Sequence, residues 1–299
     1  MPELAAFNLT NLTYLKDHEI IFKSLDGSSV SVTRVMSEVG RVDIMGLTVD
    51  FKSKKSVTRA LEKTHITLNP GTFAALIGPS GCGKSTLLNV VAGFVQPSEG
   101  GVAVDNRQVT EPDATVGVIF QNFALFPWFS ARGNVEFPLK RFKLGREERR
   151  KKALEALREV KLEEHAEKFP GQLSGGMKQR VAIARTLTSD PDVLLMDEPF
   201  GALDAQTRLE MQELLMDLWA KRQKTVLFVT HDVDEALRLA DVIYVMSAAP
   251  GKIIETINVD IERPRSVDQM DTRFIEYRSS ILGMLRQEKP SPAQEKNPN

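Results

Sequence analysis

Short apolar runs recur along most of the chain, and polar or turn-forming residues separate them. In the C-terminal half, "DVLLMDEP", "TVLFVTHD" and "DVIYVMS" are rich in Val and Leu, and polar residues follow each run. Upstream, "FAALI" and "TVGVIFQ" predict further short strands, and helical segments lie between the strands. Buried strands that alternate with helices are typical of a parallel sheet. The pattern therefore predicts an α/β fold.

From residue 41 onward the pattern predicts more strands and two helices. Turn residues bound apolar segments in "RVDIMGLTVDF", "THITLNPGTFAALIG" and "GGVAVDN", which predicts strands. "KSTLLNVVAGF" predicts a buried helix. Residues 146–169, "REERRKKALEALREVKLEEHAEKF", predict one amphipathic helix because Leu154, Leu157 and Val160 lie about one turn apart. Its charges are expected to form a solvated face.

The two ends of the chain carry weaker signals. Residues 1–40 show no clear motif, although "SVSVTRV" alternates weakly and predicts a strand. The tail "KPSPAQEKNPN" is polar and rich in Pro, which predicts disorder.

Composition narrows the function classes. The 299-residue chain has 39 Lys plus Arg against 40 Asp plus Glu, which gives no global attraction to nucleic acid or anionic lipid. Its single cysteine, Cys82, excludes an internal disulfide and fits a reducing compartment. No apolar run reaches the length of about 18 residues that a membrane span needs, and the N-terminus does not resemble a secretory signal. We therefore expect a soluble, cytosolic protein.

Residues 78–85, "GPSGCGKS", fit the phosphate-loop pattern G-x-x-x-x-G-K-[ST]. Glycines let successive backbone N–H groups turn toward one anion, and the following helix points its positive end at the phosphates. The pattern assigns Lys84 to the β- and γ-phosphates and Ser85 to Mg²⁺. A strand, "FAALI", precedes the loop and a helix follows it, as the pattern requires. Cys82 occupies a variable position of the pattern, and we expect no catalytic role for it.

An acidic pair, Asp197 and Glu198, ends the apolar strand "VLLMDEP". Ligands bind at the carboxyl ends of such strands. Asp197 is expected to hold Mg²⁺ as a second anchor beside Ser85. Glu198 is expected to act as the general base toward the attacking water. The pair is a weak signal alone and a strong one beside a phosphate loop.

A second glycine turn, "LSGGM", opens the predicted helix "MKQRVAIARTL". Residues 174–176 thus form another anion site at a helix N-terminus. One chain cannot easily place both sites around the same γ-phosphate if they lie on opposite ends of the molecule. In a two-fold dimer, the phosphate loop of one subunit would face Ser174 of the other, with the nucleotide between them.

Six motifs in this order resemble the ABC transporter ATPases. They are the phosphate loop, Gln121 in "FQN", "LSGGM", "VLLMDE", "ALD" ending at Asp204, and "VTHD" with His231. The resemblance covers about residues 41–262. It implies a P-loop NTPase ABC cassette over 41–265, with a RecA-like core, an antiparallel β subdomain and an α-helical subdomain at about 122–185. Residues 1–40 would be an N-terminal extension, and 266–299 a C-terminal helix with a disordered tail.

The resemblance also implies roles for individual residues. Gln121 would sense Mg²⁺ and the attacking water, His231 would hold the γ-phosphate, and Asp204 would report across the dimer. Phe51 occupies the position where the family stacks an aromatic ring on adenine, and the alternative is a simple core Phe. Taken alone, His231 could be a structural histidine, but the order of the motifs disfavours this alternative. The residues expected to bind ATP are Phe51, Gly78, Pro79, Ser80, Gly81, Cys82, Gly83, Lys84, Ser85, Thr86, Ser174, Gly175, Gly176 and Asp204.

The segment 120–139, "FQNFALFPWFSARGNVEFPL", is rich in large apolar residues. It forms either a local hydrophobic cluster or a groove for a partner. In the family this region receives a helix of the membrane permease. "LFPWFSARGNV" and "ERPR" are similar to importers of nitrate, sulfonate, taurine and related solutes. The resemblance therefore implies a peripheral subunit on the cytoplasmic face of the cell membrane, a permease, a second copy of the chain and, indirectly, a solute-binding protein.

Three interpretations of residues 1–40 stay open, because family members usually begin near residue 41. These residues form an extra strand or a regulatory arm, or they result from a misplaced start.

The runner-up function is a soluble ABC ATPase of DNA repair or translation. Such proteins usually carry two cassettes or a long coiled coil, and the balanced charge of this chain gives no nucleic-acid footprint. A GTPase or small-molecule kinase shares the phosphate loop, but the chain has no "NKxD" segment, and neither class accounts for "LSGGMKQR".

Overall fold

The computed structural model describes residues 13–14, 19–23, 29–33, 39–53, 56–263, 265 and 272–288. The chain divides into two units, Met1–Glu38 and Val39–Asn299. The first unit contains a three-stranded antiparallel sheet of β1 (Thr13–Tyr14), β2 (Glu19–Lys23) and β3 (Ser29–Thr33), in that order. The strand predicted in "SVSVTRV" is therefore confirmed as β3. The Pro-rich tail lies outside the described residues.

The second unit contains two sheets and a set of helices. Its strands are β4 (Val42–Lys52), β5 (Val57–Leu68), β6 (Phe73–Ile77), β7 (Glu99–Val104), β8 (Arg107–Gln108), β9 (Val116–Ile119), β10 (Val193–Asp197), β11 (Thr225–Val229), β12 (Val242–Met246) and β13 (Ile253–Asn258). Its α-helices are α1 (Lys84–Val91), α2 (Ala131–Glu136), α3 (Arg146–Glu159), α4 (Gly175–Thr188), α5 (Ala205–Arg222), α6 (Val233–Leu239) and α7 (Thr272–Gln287).

The predicted parallel sheet is confirmed. Its strands run in the order β13-β12-β6-β11-β10-β9, and β13 alone pairs antiparallel. Every residue of β6, β11 and β12 is buried. Successive side chains of a strand point to opposite faces, so Phe73 and Phe228 enter one hydrophobic core while Leu76 and Leu227 enter another. The central strands read as continuous apolar runs for this reason.

A four-stranded antiparallel sheet, in the order β5-β4-β7-β8, covers one face of the parallel sheet through the second core. At the start of β4, Val42 and Ile44 are buried in the same core as Leu87 and Leu88 of α1. Helices α2, α3 and α4 pack together through the other core, which buries Val135, Leu157 and Val181.

The predicted helix over 146–169 is wrong at its C-terminal end, because α3 stops at Glu159. Lys161 adopts a left-handed conformation with φ of 59°. Its N–H donates to the Arg158 carbonyl at 2.9 Å, and the Leu162 N–H donates to the Leu157 carbonyl at 2.8 Å. These two bonds form a Schellman cap. A short 3₁₀ turn, Glu163–His165, follows. The cap uses a lysine where glycine is usual, so the sequence does not reveal it.

Helix α7 packs on the first core through the fully buried Ile281. Its Arg278 forms an ion pair with Asp234 of α6 at 2.6 Å. Within the described residues, no helix combines the length and apolar character needed to cross a bilayer.

Candidate nucleotide-binding site

The phosphate loop lies between β6 and α1, as the sequence predicts. Gly81 and Gly83 have φ values of 76° and 103°, which L side chains rarely adopt. A Cβ at Gly83 would also come within 2.7 Å of Leu61 Cδ2 and 2.9 Å of the Ala60 carbonyl oxygen. These positions therefore require glycine. The loop leads directly into the N-terminus of α1, where free backbone N–H groups suit a phosphate.

Lys84 is held inside this loop. Its side chain is buried, and Nζ donates hydrogen bonds of 2.9 Å to the carbonyl oxygens of Gly78 and Pro79. The Cys82 sulfur is fully buried at 3.9 Å from Nζ. Burial raises the pKa of the Cys82 thiol, although Lys84 opposes the shift. A buried neutral thiol is unreactive.

Ser85 and Asp197 meet as a pair of hard oxygen ligands. The Ser85 hydroxyl donates to Asp197 Oδ1 at 3.0 Å, although 112 residues separate the two in the chain. Burial raises the pKa of Asp197, and the hydrogen bond from Ser85 opposes this. No group of three or more His, Cys, Asp or Glu side chains forms a metal cage among the described residues. One hydroxyl and one carboxylate fit Mg²⁺, which keeps several waters and takes phosphate oxygens.

Glu198 and His231 form a second pair beside the first. Glu198 follows β10 with φ of 42°, and its N–H donates to the Val229 carbonyl at 3.0 Å. Its Oε2 lies 3.1 Å from Nδ1 of His231, which follows β11. An ionised carboxylate only accepts hydrogen bonds, so this contact assigns the proton to Nδ1. His231 is 63% exposed, so it is not a buried structural histidine.

Gln121 reaches the same edge of the sheet from the end of β9. A Cβ at Gly201 would lie 3.6 Å from Gln121 Nε2 and 3.7 Å from Glu198 Oε2, so both side chains border this glycine. The ends of β6, β9, β10 and β11 thus bring together the phosphate loop, Gln121, the acidic pair and His231. This is the edge at which α/β sheets bind ligands.

Residues 174–176 form the N-terminus of α4. Ser174 is the exposed N-cap of α4, and its Oγ accepts from the Met177 N–H at 3.3 Å. A Cβ at Gly176 would come within 2.6 Å of Thr207 Cγ2, so α4 and α5 begin side by side. Asp204 caps α5 by accepting from the Thr207 N–H at 3.0 Å. Across the described residues, no hydrogen bond joins Ser174 to the phosphate loop.

Phe51 lies near the end of β4, opposite Thr58 of β5. The side chain is 48% exposed, so the alternative of a simple core Phe is wrong. An exposed aromatic ring remains available for stacking on a base.

Sequence reasoning missed two residues that shape the segment after Gln121. Asn134 is fully buried; its Oδ1 accepts from the Phe126 N–H at 2.8 Å, and its Nδ2 donates to the carbonyls of Phe126, Phe129 and Ser130. Arg185 of α4 donates to the carbonyls of Ala124 and Phe123, at 2.6 and 3.2 Å. Phe123 and Ala124 have positive φ values, which these bonds hold. Asn134 between apolar residues was the available signal, whereas nothing in the sequence pointed to Arg185.

A buried acid, Glu235 of α6, was also missed. It accepts hydrogen bonds from the Thr230 hydroxyl and from Gln212 Nε2, at 2.5 and 2.9 Å. Burial raises its pKa, and both hydrogen bonds oppose the shift. Thr230 Oγ1 in turn accepts from the Asp232 N–H at 3.1 Å. Glu235 therefore fixes the turn that carries His231.

The fold and the site define a P-loop nucleoside triphosphatase. The ABC transporter family model matches residues 61–201. An uncharacterized ABC transporter ATP-binding protein of Methanocaldococcus jannaschii is 45% identical over 83% of this chain and 92% of its own length. The taurine import ATP-binding protein of Yersinia pestis is 41% identical over 83% of this chain and 98% of its own length. The nitrate import ATP-binding protein of Synechococcus elongatus is 45% identical over 81% of this chain and 90% of its own length.

Solved structures agree with these relatives. The ATP-binding cassette MJ0796, solved as a dimer in a post-hydrolysis state with ADP and Pi, superposes with a TM-score of 0.67. It is 35% identical and covers 74% of this chain and 100% of its own. The chain therefore belongs to the ABC transporter ATP-binding family and is an ATPase. The fold predicted from the six motifs, an ABC cassette, is confirmed.

Proposed function

We propose that this chain is the ATP-hydrolysing subunit of an importer for a small solute such as nitrate, a sulfonate or taurine, and that it acts through a separate membrane permease. One observation carries the proposed ATP hydrolysis: the Ser85–Asp197 and Glu198–His231 pairs meet at one sheet edge next to the phosphate loop. The relatives named for taurine and nitrate import support the solute class.

In the proposed site, residues 78–86 surround the phosphates of ATP. Backbone N–H groups of the loop donate to them, and Lys84 exchanges its bonds to the loop carbonyls for bonds to the β- and γ-phosphates. Ser85 and Asp197, with Gln121 nearby, supply the protein oxygens for Mg²⁺. When bound, Mg²⁺ neutralises charge that develops on the transferred phosphoryl group. Phe51 stacks on the adenine ring.

Glu198 is the proposed general base of hydrolysis. The His231 N–H holds its Oε2 at 3.1 Å and leaves Oε1 free to take a proton from the attacking water. His231, whose side chain is 63% exposed, would offer its other ring nitrogen to the γ-phosphate. Gln121, which borders Gly201 together with Glu198, orients the water.

The site is complete only in a dimer of two copies. At the N-terminus of α4, Ser174 and Gly175 are exposed and Gly176 is buried, and the first N–H groups of the helix are not used by its own phosphate loop. In the dimer these donors meet the γ-phosphate bound by the partner, and Asp204 lies beside them at the N-terminus of α5. The dimeric cassette MJ0796 supports this arrangement.

The permease is proposed to dock on an aromatic patch formed by Phe126, Trp128, Phe129 and Phe137. The rings contact one another, with centroids 4.7 Å apart for Phe126 and Phe137, yet Trp128 remains 68% exposed. Asn134 and Arg185 connect this patch to the segment after Gln121 and to α4. Docking would place the subunit at the cytoplasmic face of the membrane, where a solute-binding protein acts on it only through the permease. No nucleic acid is a partner in this proposal.

Capture of the permease tests the solute assignment. The tagged chain is purified from membranes of its native host, the co-purifying membrane subunit is identified, and the complex is assayed for uptake of nitrate and taurine in vesicles. Energised uptake of either solute supports the proposal. Recovery of a complex that exports, or that moves neither anions nor sulfonates, contradicts it.

Replacing Lys84 with Ala should raise the dissociation constant for ATP about tenfold or more and abolish measurable turnover, because a desolvated charge on the phosphates is lost. Calorimetric titration with Mg-ATP and a phosphate-release assay measure both effects. The exposed Lys143 provides the matched control, and K143A should bind ATP like wild type. Equal affinity and rate in K84A contradict the phosphate-loop assignment.

Replacing Trp128 with Ala should weaken association with the permease about thirtyfold, as expected for a central aromatic anchor. ATP turnover by the isolated cassette should not change. Co-purification and binding to detergent-solubilised permease measure the loss. Ile275, which is also exposed but lies on α7, is the control site. Permease binding that is equally strong in W128A removes the patch as the docking site.

A further inference from the structure

The turn between β12 and β13, residues 247–252, touches the phosphate loop although it belongs to no motif. Gly251 is buried, and its N–H donates to the Ala60 carbonyl at 3.0 Å, while its carbonyl accepts from the Glu62 N–H at 2.8 Å. A Cβ at Gly251 would collide with the carbonyl oxygen of Cys82 and lie 2.6 Å from Met246 Cε. The backbone at Gly251 therefore lies directly against the peptide between Cys82 and Gly83.

Gly251 contacts the carbonyl side of the peptide between Cys82 and Gly83, which is opposite to its N–H group. A peptide unit is planar and trans, so the Cys82 carbonyl and the Gly83 N–H point in opposite directions. With the carbonyl held against Gly251, the Gly83 N–H points away from the turn. Gly83 is the N-cap of α1, where free N–H groups bind anions. The turn thus fixes the direction of the Gly83 N–H, which can donate a hydrogen bond to a phosphate.

The turn is itself held in one conformation. The Ser247 hydroxyl donates to the Ala248 carbonyl at 3.0 Å and accepts from the Lys252 N–H at 3.1 Å. Glu288, directly after α7, accepts from the Ala248 N–H through Oε2 at 2.9 Å. Helix α7 is anchored by the buried Ile281. A continuous set of contacts therefore runs from α7 through the turn to the phosphate loop.

We propose that the 247–252 turn is a positioning element of the nucleotide site, in which Gly251 fixes the peptide between Cys82 and Gly83 and Glu288 fixes the turn. The inference rests on the proposed nucleotide site and adds residues outside its motifs. It makes the C-terminal helix a determinant of nucleotide affinity, although among the described residues α7 itself forms no hydrogen bond or ion pair with the phosphate loop.

Replacing Gly251 with Ala should raise the dissociation constants for ATP and ADP about tenfold, as expected for one misdirected hydrogen bond to a charged group. Gly117 offers a matched control at the start of β9, because a Cβ there would also collide, with Thr186 Cγ2 at 2.6 Å. G117A should lower the melting temperature of the nucleotide-free protein and keep affinity within about twofold of wild type. Calorimetric titration with Mg-ATP and Mg-ADP, at equal folded fraction, distinguishes a loss of nucleotide affinity from a loss of stability.

Glu288 keeps the inference testable if G251A does not fold. Replacing Glu288 with Ala removes the acceptor and should weaken ATP binding about threefold, whereas E288Q retains a carbonyl oxygen and should restore it. Wild-type affinity in both G251A and E288A, or equal loss in E288A and E288Q, overturns the positioning role. Failure of the wild-type protein to bind ATP would instead overturn the proposed function and this inference with it.

Discussion

Replacing Glu198 with Gln should slow ATP hydrolysis by about 10²- to 10⁴-fold while leaving ATP binding intact. Gln has the shape of Glu, and its carbonyl oxygen can still accept the hydrogen bond that His231 Nδ1 makes to Oε2 at 3.1 Å. The Ser85–Asp197 pair is untouched. The substitution therefore removes a base and preserves the geometry around it.

Steady-state phosphate release and equilibrium titration with Mg-ATP measure the two halves of this prediction. Glu213 is an exposed acid on α5, and E213Q should retain full activity as the control. Because ATP stays bound without turnover, E198Q should also accumulate as a dimer with ATP on size-exclusion chromatography. Unchanged steady-state activity in E198Q would remove Glu198 from the mechanism.

The buried strands of the fold were the easiest part to predict. Continuous apolar runs such as that of β11 can lie only in a sheet covered on both faces, and the order of strands and helices made that sheet parallel. Helix ends were harder. The C-terminus of α3 is set by Lys161 in a left-handed conformation, which depends on burying Val160 and Leu162 against other helices rather than on a local residue preference.

The residues of the site also differ in how easily the sequence predicts them. Lys84, Ser85 and Glu198 carry their chemistry in their side chains at fixed spacing, so a pattern finds them. Gly251 acts through its backbone, and only the approach of a segment about 170 residues away gives it importance. Asn134 and Arg185 likewise bind main-chain carbonyls and N–H groups. Residues that position a loop through its backbone leave no spacing rule in one sequence.

Replacing Ser174 with Arg should abolish hydrolysis and ATP-driven dimerisation without preventing ATP from binding the phosphate loop of the same chain. Ser174 is exposed at the N-terminus of α4, and no hydrogen bond joins it to that loop among the described residues. A bulky cation there would block approach of the partner and displace the N–H donors from the γ-phosphate. The substitution also removes a helix cap worth about 1 kcal/mol. S130A, which removes the cap of α2, controls for that loss.

Mixing S174R with K84A subunits tests whether the site is shared between chains. In a heterodimer, the phosphate loop of S174R would face the intact Ser174 of K84A, so one composite site carries no defect and the other carries both. ATPase activity should then reappear on mixing, to about half of the wild-type rate at most, in proportion to the heterodimer formed. Coupling between the two sites would reduce this recovery, so dimerisation with ATP, followed by light scattering, is the primary measurement. Normal dimerisation and wild-type turnover by S174R alone would make the second glycine turn purely structural and contradict the composite site.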